Sequence, residues 1–87
     1  MPVSTLSLVE RIARIIAGRA VSINAEGDES SAARHVDSLW RDYRGDAVSV
    51  IRTLREPDLA MAEAGDVAIW ERMIEAALAE AEAEATS

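Results

Sequence analysis

No cysteine occurs among the 87 residues, so disulfides, zinc–thiolate sites, iron–sulfur clusters and thiol nucleophiles are excluded. Lysine is missing too, all nine cations being arginine, which removes Schiff-base chemistry and the phosphate loops that depend on an amine. The one histidine, His35, has no cysteine or second histidine to share a metal with, and reads as a partly exposed helix residue. No metal and no cofactor is expected. No apolar run approaches the ~18 residues of a membrane span, and no alternating strand pattern or internal repeat is present. Residues 1–18 hold an apolar stretch without a basic leader, and Glu10, Arg11 and Arg14 interrupt it, so a cytoplasmic setting is expected.

Half of the chain is apolar (49%), enough for one small domain with one modest core. The net charge of -7 disfavours direct nucleic-acid binding, which requires phosphate neutralisation. That charge is segregated. Residues 1–55 hold eight arginines against seven acids, a balance of +1, whereas residues 56–87 hold Arg72 against nine acids, a balance of -8. The surface is expected to have two electrostatic poles.

The periodicity predicts an all-α fold, a small bundle of three main helices plus one short helix, with a long central helix. The first helix starts at Ser7, with Glu10 placed to complete a capping box, and runs to about Ala20 with Leu8, Ile12, Ile15, Ile16 and Ala20 inward. Residues 21–30 read as a loop with a turn at Asn24. In the second helix Ala33, Val36, Trp40, Tyr43, Ala47, Val50 and Leu54 recur at steps of three and four, widened by Leu39 and Ile51. One helix from about Ser31 to Arg55, roughly 37 Å long at 1.5 Å per residue, follows. Two shorter helices broken at Gly45 are the alternative. Pro57 stops this run and opens a short helix to Ala64, closed by Gly65, with Leu59, Met61 and Ala62 inward. Asp66 caps a last helix whose buried stripe is Val67, Trp70, Met73, Ile74, Ala77 and Leu78. Residues 1–79 form the single domain. Residues 80–87, with Glu80, Glu82 and Glu84 near a helix C-terminus where the dipole disfavours them, form a frayed acidic tail.

Asp37-Ser38-Leu39 resembles the phosphopantetheine attachment motif of acyl carrier proteins, small acidic helical proteins, and Val9 to Ile16 looks like their first helix. That resemblance implies modification at Ser38. The chain departs from the family in the arginine-rich run Trp40-Arg41-Asp42-Tyr43-Arg44, in lacking a glycine before Asp37, and in placing Ser38 within a helical stripe. A second resemblance spans residues 40–78: Trp40-x-x-Tyr43-x-x-x-Ala47, Leu54-Arg55-Glu56-Pro57, Ala60-Met61, Ala64-Gly65, Trp70 and Met73-Ile74-x-Ala76-Ala77-Leu78. These residues look like small helical hypothetical proteins of phages and prophages in high-GC bacteria, a resemblance that implies a short helical protein and no assigned activity. The departures here are Arg44-Gly45-Asp46 and Arg52.

Candidate interaction residues lie on the central helix. Arg34, Arg41, Arg44, Arg52 and Arg55 fall within a sector of roughly 80° at about 100° per residue, beside the apolar stripe, with Asp37 the only acid among them. Such a ribbon can pair with the acidic last helix of the same chain, with that of a symmetry mate, or with an external anion, and arginine's planar fork suits all three. Trp40, Tyr43 and Trp70 sit on apolar stripes and are expected at core edges or in dimer packing, where their polar atoms find partners. Asp66, Glu71 and Glu75 share one flank of the last helix and read as a solvated face. The leading expectation is a non-enzymatic protein acting through protein contacts, as a homodimer. The alternatives are a phage-encoded inhibitor of a host nucleic-acid-binding protein through the acidic C-terminal third, and an acyl carrier-like protein modified at Ser38.

Overall fold

The computed structural model describes residues 2–24 and 29–86 and is all-α, as the periodicity predicts. Helix α1 spans Leu8–Asn24, α2 Glu29–Leu39, α3 Arg44–Leu54, α4 Leu59–Ala64 and α5 Val67–Thr86, with a 3₁₀ turn at Trp40–Tyr43 joining α2 to α3. α2, this turn and α3 form the long central run. The alternative break at Gly45 does not occur. The tightening falls just before it, where Leu39 and Tyr43 leave ideal helical ψ and the Arg44 N–H bonds the Arg41 carbonyl, three residues back. Residues 25–28, within the expected loop, lie outside the described residues.

Local capping chemistry sets most helix starts. Ser7 Oγ accepts from the Glu10 N–H at 3.3 Å, but the Glu10 carboxylate turns to Arg14 and not back to Ser7, so only half of the capping box forms. α1 then continues one turn past the expected Ala20 to Asn24. Asp58, not Pro57, opens α4: its side chain accepts from the Met61 N–H at 3.0 Å, and Pro57 stands one residue outside. Asp66 caps α5 as predicted, accepting from the Ile69 N–H at 3.1 Å.

α1 packs against α2, the 3₁₀ turn, α3 and α5, and α3 also packs on α5. The core consists of Val9, Ala13, Ala17, Trp40, Ala47, Ile51, Ile74 and Ala81. Its α1 contribution is the row Val9–Ala13–Ala17, flanked by half-buried Leu8, Ile12 and Ile16, whereas Ile15 faces solvent. Small side chains let the helices close tightly, and the Gly18 backbone comes near Val36 of α2. In the central run Val50 is exposed and Ile51 fully buried. The reason is that α3, unlike α2, packs on two helices, and α5 approaches it on the side of Val48 and Ile51.

As far as Thr86 the tail is helical, not frayed. α5 is helical to Thr86, Ala81 is buried, and Glu84 accepts a hydrogen bond from the Ser7 hydroxyl at 3.0 Å. An alternation of glutamate and alanine contains the four-residue spacing that puts Ala77 and Ala81 on one face. Both residue types are also strong helix formers. The radius of gyration is 15.1 Å and the longest dimension 44 Å, against ~12 Å for a compact chain of this length.

Candidate interaction surfaces

The predicted basic ribbon divides among three settings. Trp40, only 4% exposed at the start of the 3₁₀ turn, collects guanidinium groups from Arg41 at 4.6 Å and from Arg14 and Arg44 at 5.3 Å of its ring centre. Such cation–π contacts contribute ~0.5–1 kcal/mol each at partly exposed sites. The Trp40 and Arg44 Nε atoms are buried without hydrogen-bond partners. Arg55 donates to Glu75 at 2.8 Å, so α5 does receive one arginine of the ribbon; both side chains are about half exposed, and such a pair contributes at most ~1 kcal/mol. Arg34 and Arg52 are exposed, Arg52 lining a groove between α3 and α5 with Arg44 and Glu82.

Arg14, which in the sequence only interrupts the N-terminal apolar stretch, joins two helices. Its Nε meets Glu10 at 2.8 Å and its Nη1 meets Asp37 of α2 at 2.7 Å. These hydrogen bonds, Asp37's foremost and then Glu10's, raise the guanidinium pKa above its ordinary value. Only the three-residue step from Glu10 to the cap at Ser7 hinted at this end of the helix; the contact with Asp37 is tertiary and left no local signal.

Tyr43 is half-buried against the core. Trp70 is half-buried, and its indole N–H donates to the Leu54 carbonyl at 2.6 Å. That carbonyl belongs to the last turn of α3, whose acceptors lack helical donors beyond the end of the helix, and Trp70 supplies one from α5. His35 is exposed on α2. The Ser38 hydroxyl lies near the C-terminal end of α2 and donates to the carbonyls of Arg34 and His35 within its own helix. Asp66 is occupied as a cap and Glu75 as an ion-pair partner, while Glu71 is exposed, so these three acids do not converge. Among the described residues no cluster of three metal-ligating side chains occurs, and no helix is long and apolar enough to cross a membrane.

The unexpected surface is apolar. Leu59 and Met61, expected inside, are exposed at 75% and 42%, and Met73 of the predicted buried stripe is exposed at 61%. Val67, of the same stripe, is also exposed, with Ile69 beside it at 47%. α4, at six residues, is too short to bury a face of its own and is barely packed on the other helices. Between it and the start of α5 runs a groove of about 380 Å³ lined by Pro57, Met61, Val67, Ile69, Trp70 and Met73, with Asp66 the only charged residue. A second groove of about 570 Å³, bordered by Leu6, Leu54 and Ile74 together with Arg11 and Glu80, shares Trp70 and Met73 with the first. The two grooves therefore form one continuous apolar face.

No family model matches the chain, and no curated protein or solved structure matches it either. The resemblance of residues 40–78 to small phage proteins accordingly rests on those residues alone.

Proposed function

We propose that this is a cytoplasmic, non-enzymatic helical protein that works through protein contacts, and that the α4–α5 apolar face is its docking surface. The observation that carries this reading is the exposure of Met61, Val67, Ile69 and Met73 around one groove, on a chain whose α1 is already packed against α2 and α3. Contiguous exposed apolar surface of this kind marks interaction sites in soluble domains. With a single carboxylate in the first groove and no strand edge among the described residues, the face suits the apolar side of an amphipathic helix. The inhibitor reading draws less support, because Glu84 of the acidic tail is turned toward Ser7.

The test is a photo-crosslinking side chain at position 73, with a control at exposed Ser49 of α3, introduced in the producing cell. Polypeptide adducts at position 73 and none at position 49 are expected. Equal adduct formation at the two positions, or none at 73, sinks the reading.

A further inference from the structure

We infer that the α4–α5 face is covered by a second copy of this chain, packed about a two-fold axis; the inference rests on the docking reading above and names its occupant. The first argument is area. The isolated chain exposes 6444 Å², whereas a compact monomer of 9.4 kDa is expected to expose ~5,000 Å². The excess, about 1,400 Å², belongs to the whole elongated chain, and it leaves room for the ~800 Å² that each partner contributes to a standard interface.

The second argument is the core. Four of its eight members are alanines, and only Ile51 and Val9 are large side chains buried completely. Small scaffolds with so little interior commonly gain stability from a staple. The chain has no cysteine for a disulfide, and α4 lacks support from its own chain. A second copy is present whenever the chain is made, and it adds stability to helices that pack in the single chain already.

The third argument is geometric. Ile69 and Met73 lie one turn apart on α5, next to the groove that α4 borders. Two α5 helices crossing there face each other with the same side chains, the self-complementary arrangement a two-fold interface requires. Each copy places Met61, on the groove side of α4, over the other's α5.

Charge sharpens the choice of occupant. Between Glu56 and Glu75 stand six acids and one arginine, a balance of -5, so two copies bring like charge to the rim while the groove floor holds only Asp66. Exposed charges more than ~8 Å apart are largely screened at physiological salt. Added salt therefore tightens self-association, whereas it weakens the binding of a basic foreign helix.

Sedimentation equilibrium decides the matter. The wild type is expected at twice 9.4 kDa at micromolar concentration, more tightly at high salt than at low. Met73→Glu raises the dissociation constant about a hundredfold, the range of a central interface residue, and keeps its helical circular dichroism because Met73 is exposed in the single chain. Val50→Glu, at an exposed apolar position of α3 that lines neither groove, leaves the dimer intact. A wild type that stays monomeric at ~100 µM, where even weak specific pairs form, or equal effects of the two substitutions, overturns the inference. Adducts of position 73 with other polypeptides from a monomeric wild type overturn the second copy alone and leave the docking reading standing. A monomer without adducts ends both.

Discussion

The α1–α2–α3 half and the α4–α5 pair use their apolar residues in opposite ways. In the first, small side chains stack in a row, Val9, Ala13 and Ala17 with Ala47 and Ile51 in one core, and the large apolar residues left exposed among its described side chains are Ile15 and Val50, which line neither apolar groove. In the second, large side chains, Met61, Ile69 and Met73, stand in the open around two grooves, and Leu59 of α4 is exposed as well. Tight packing of small residues fixes the relative placement of helices and leaves nothing to offer a partner. Exposed Leu, Ile and Met do the reverse, since methionine in particular adapts its shape to what it meets. The lesson is a division of labour: one half holds the shape and the other is free to bind.

The sharpest way to break this comparison is to make the same kind of truncation in each half. Ile51→Ala empties a fully buried position and is expected to cost ~2–5 kcal/mol of stability. Ile69→Ala, at a site 47% exposed, is expected to stay within ~0.5 kcal/mol in the monomeric Met73→Glu background. Chemical denaturation with helical dichroism as the readout checks both. Equal losses would show that α4 and α5 are as much core as α1 and α3.

A smaller effect tests the seam between the halves. Trp70→Phe keeps most of the ring and deletes the donor to the Leu54 carbonyl, a hydrogen bond with a net contribution of ~1 kcal/mol. The midpoint of denaturation should fall with little change in its slope. An unchanged midpoint would mean that water replaces the indole at the end of α3 without cost.

The smallest effect has the opposite sign. Gly45 lies in α3 with nothing within 4 Å of an added Cβ, and at Gly18 the nearest atom, a Val36 methyl, would sit at 3.8 Å, an ordinary contact. Gly45→Ala and Gly18→Ala are each expected to stabilise by ~0.5–1 kcal/mol, because alanine restricts the unfolded chain and favours helix. Destabilisation at Gly45 would instead show that the neighbouring 3₁₀ turn needs the freedom of a glycine.

Helix existence and several boundaries were legible in the sequence because their causes are local. Asp66 caps α5 with its own side chain three residues from the acceptor's partner, and Pro57 ends the central run by its ring geometry. Burial was less legible. In α1 a stripe drawn by residue size favoured Ile15, yet Val9, Ala13 and Ala17 took the interior, because close helix contact selects small side chains; in α3 the stripe held both Val50 and Ile51, and packing on α5, distant in the chain, buried Ile51 alone. The arginine ribbon was visible as an angular cluster, but what divides it is Trp40, which gathers Arg41, Arg44 and the distant Arg14. The apolar α4–α5 face had no signature at all, since a short amphipathic helix reads the same whether or not its own chain covers it.

The two indoles fall one in each half, Trp40 beneath its arginines and Trp70 against the Leu54 carbonyl, and the chain has no third. The molecule thus carries its own pair of optical probes. With either one replaced by phenylalanine, the remaining emission follows a single half during melting, and superposable curves are what one cooperative unit requires. Divergent curves would assign a separate melting temperature to the surface that binds.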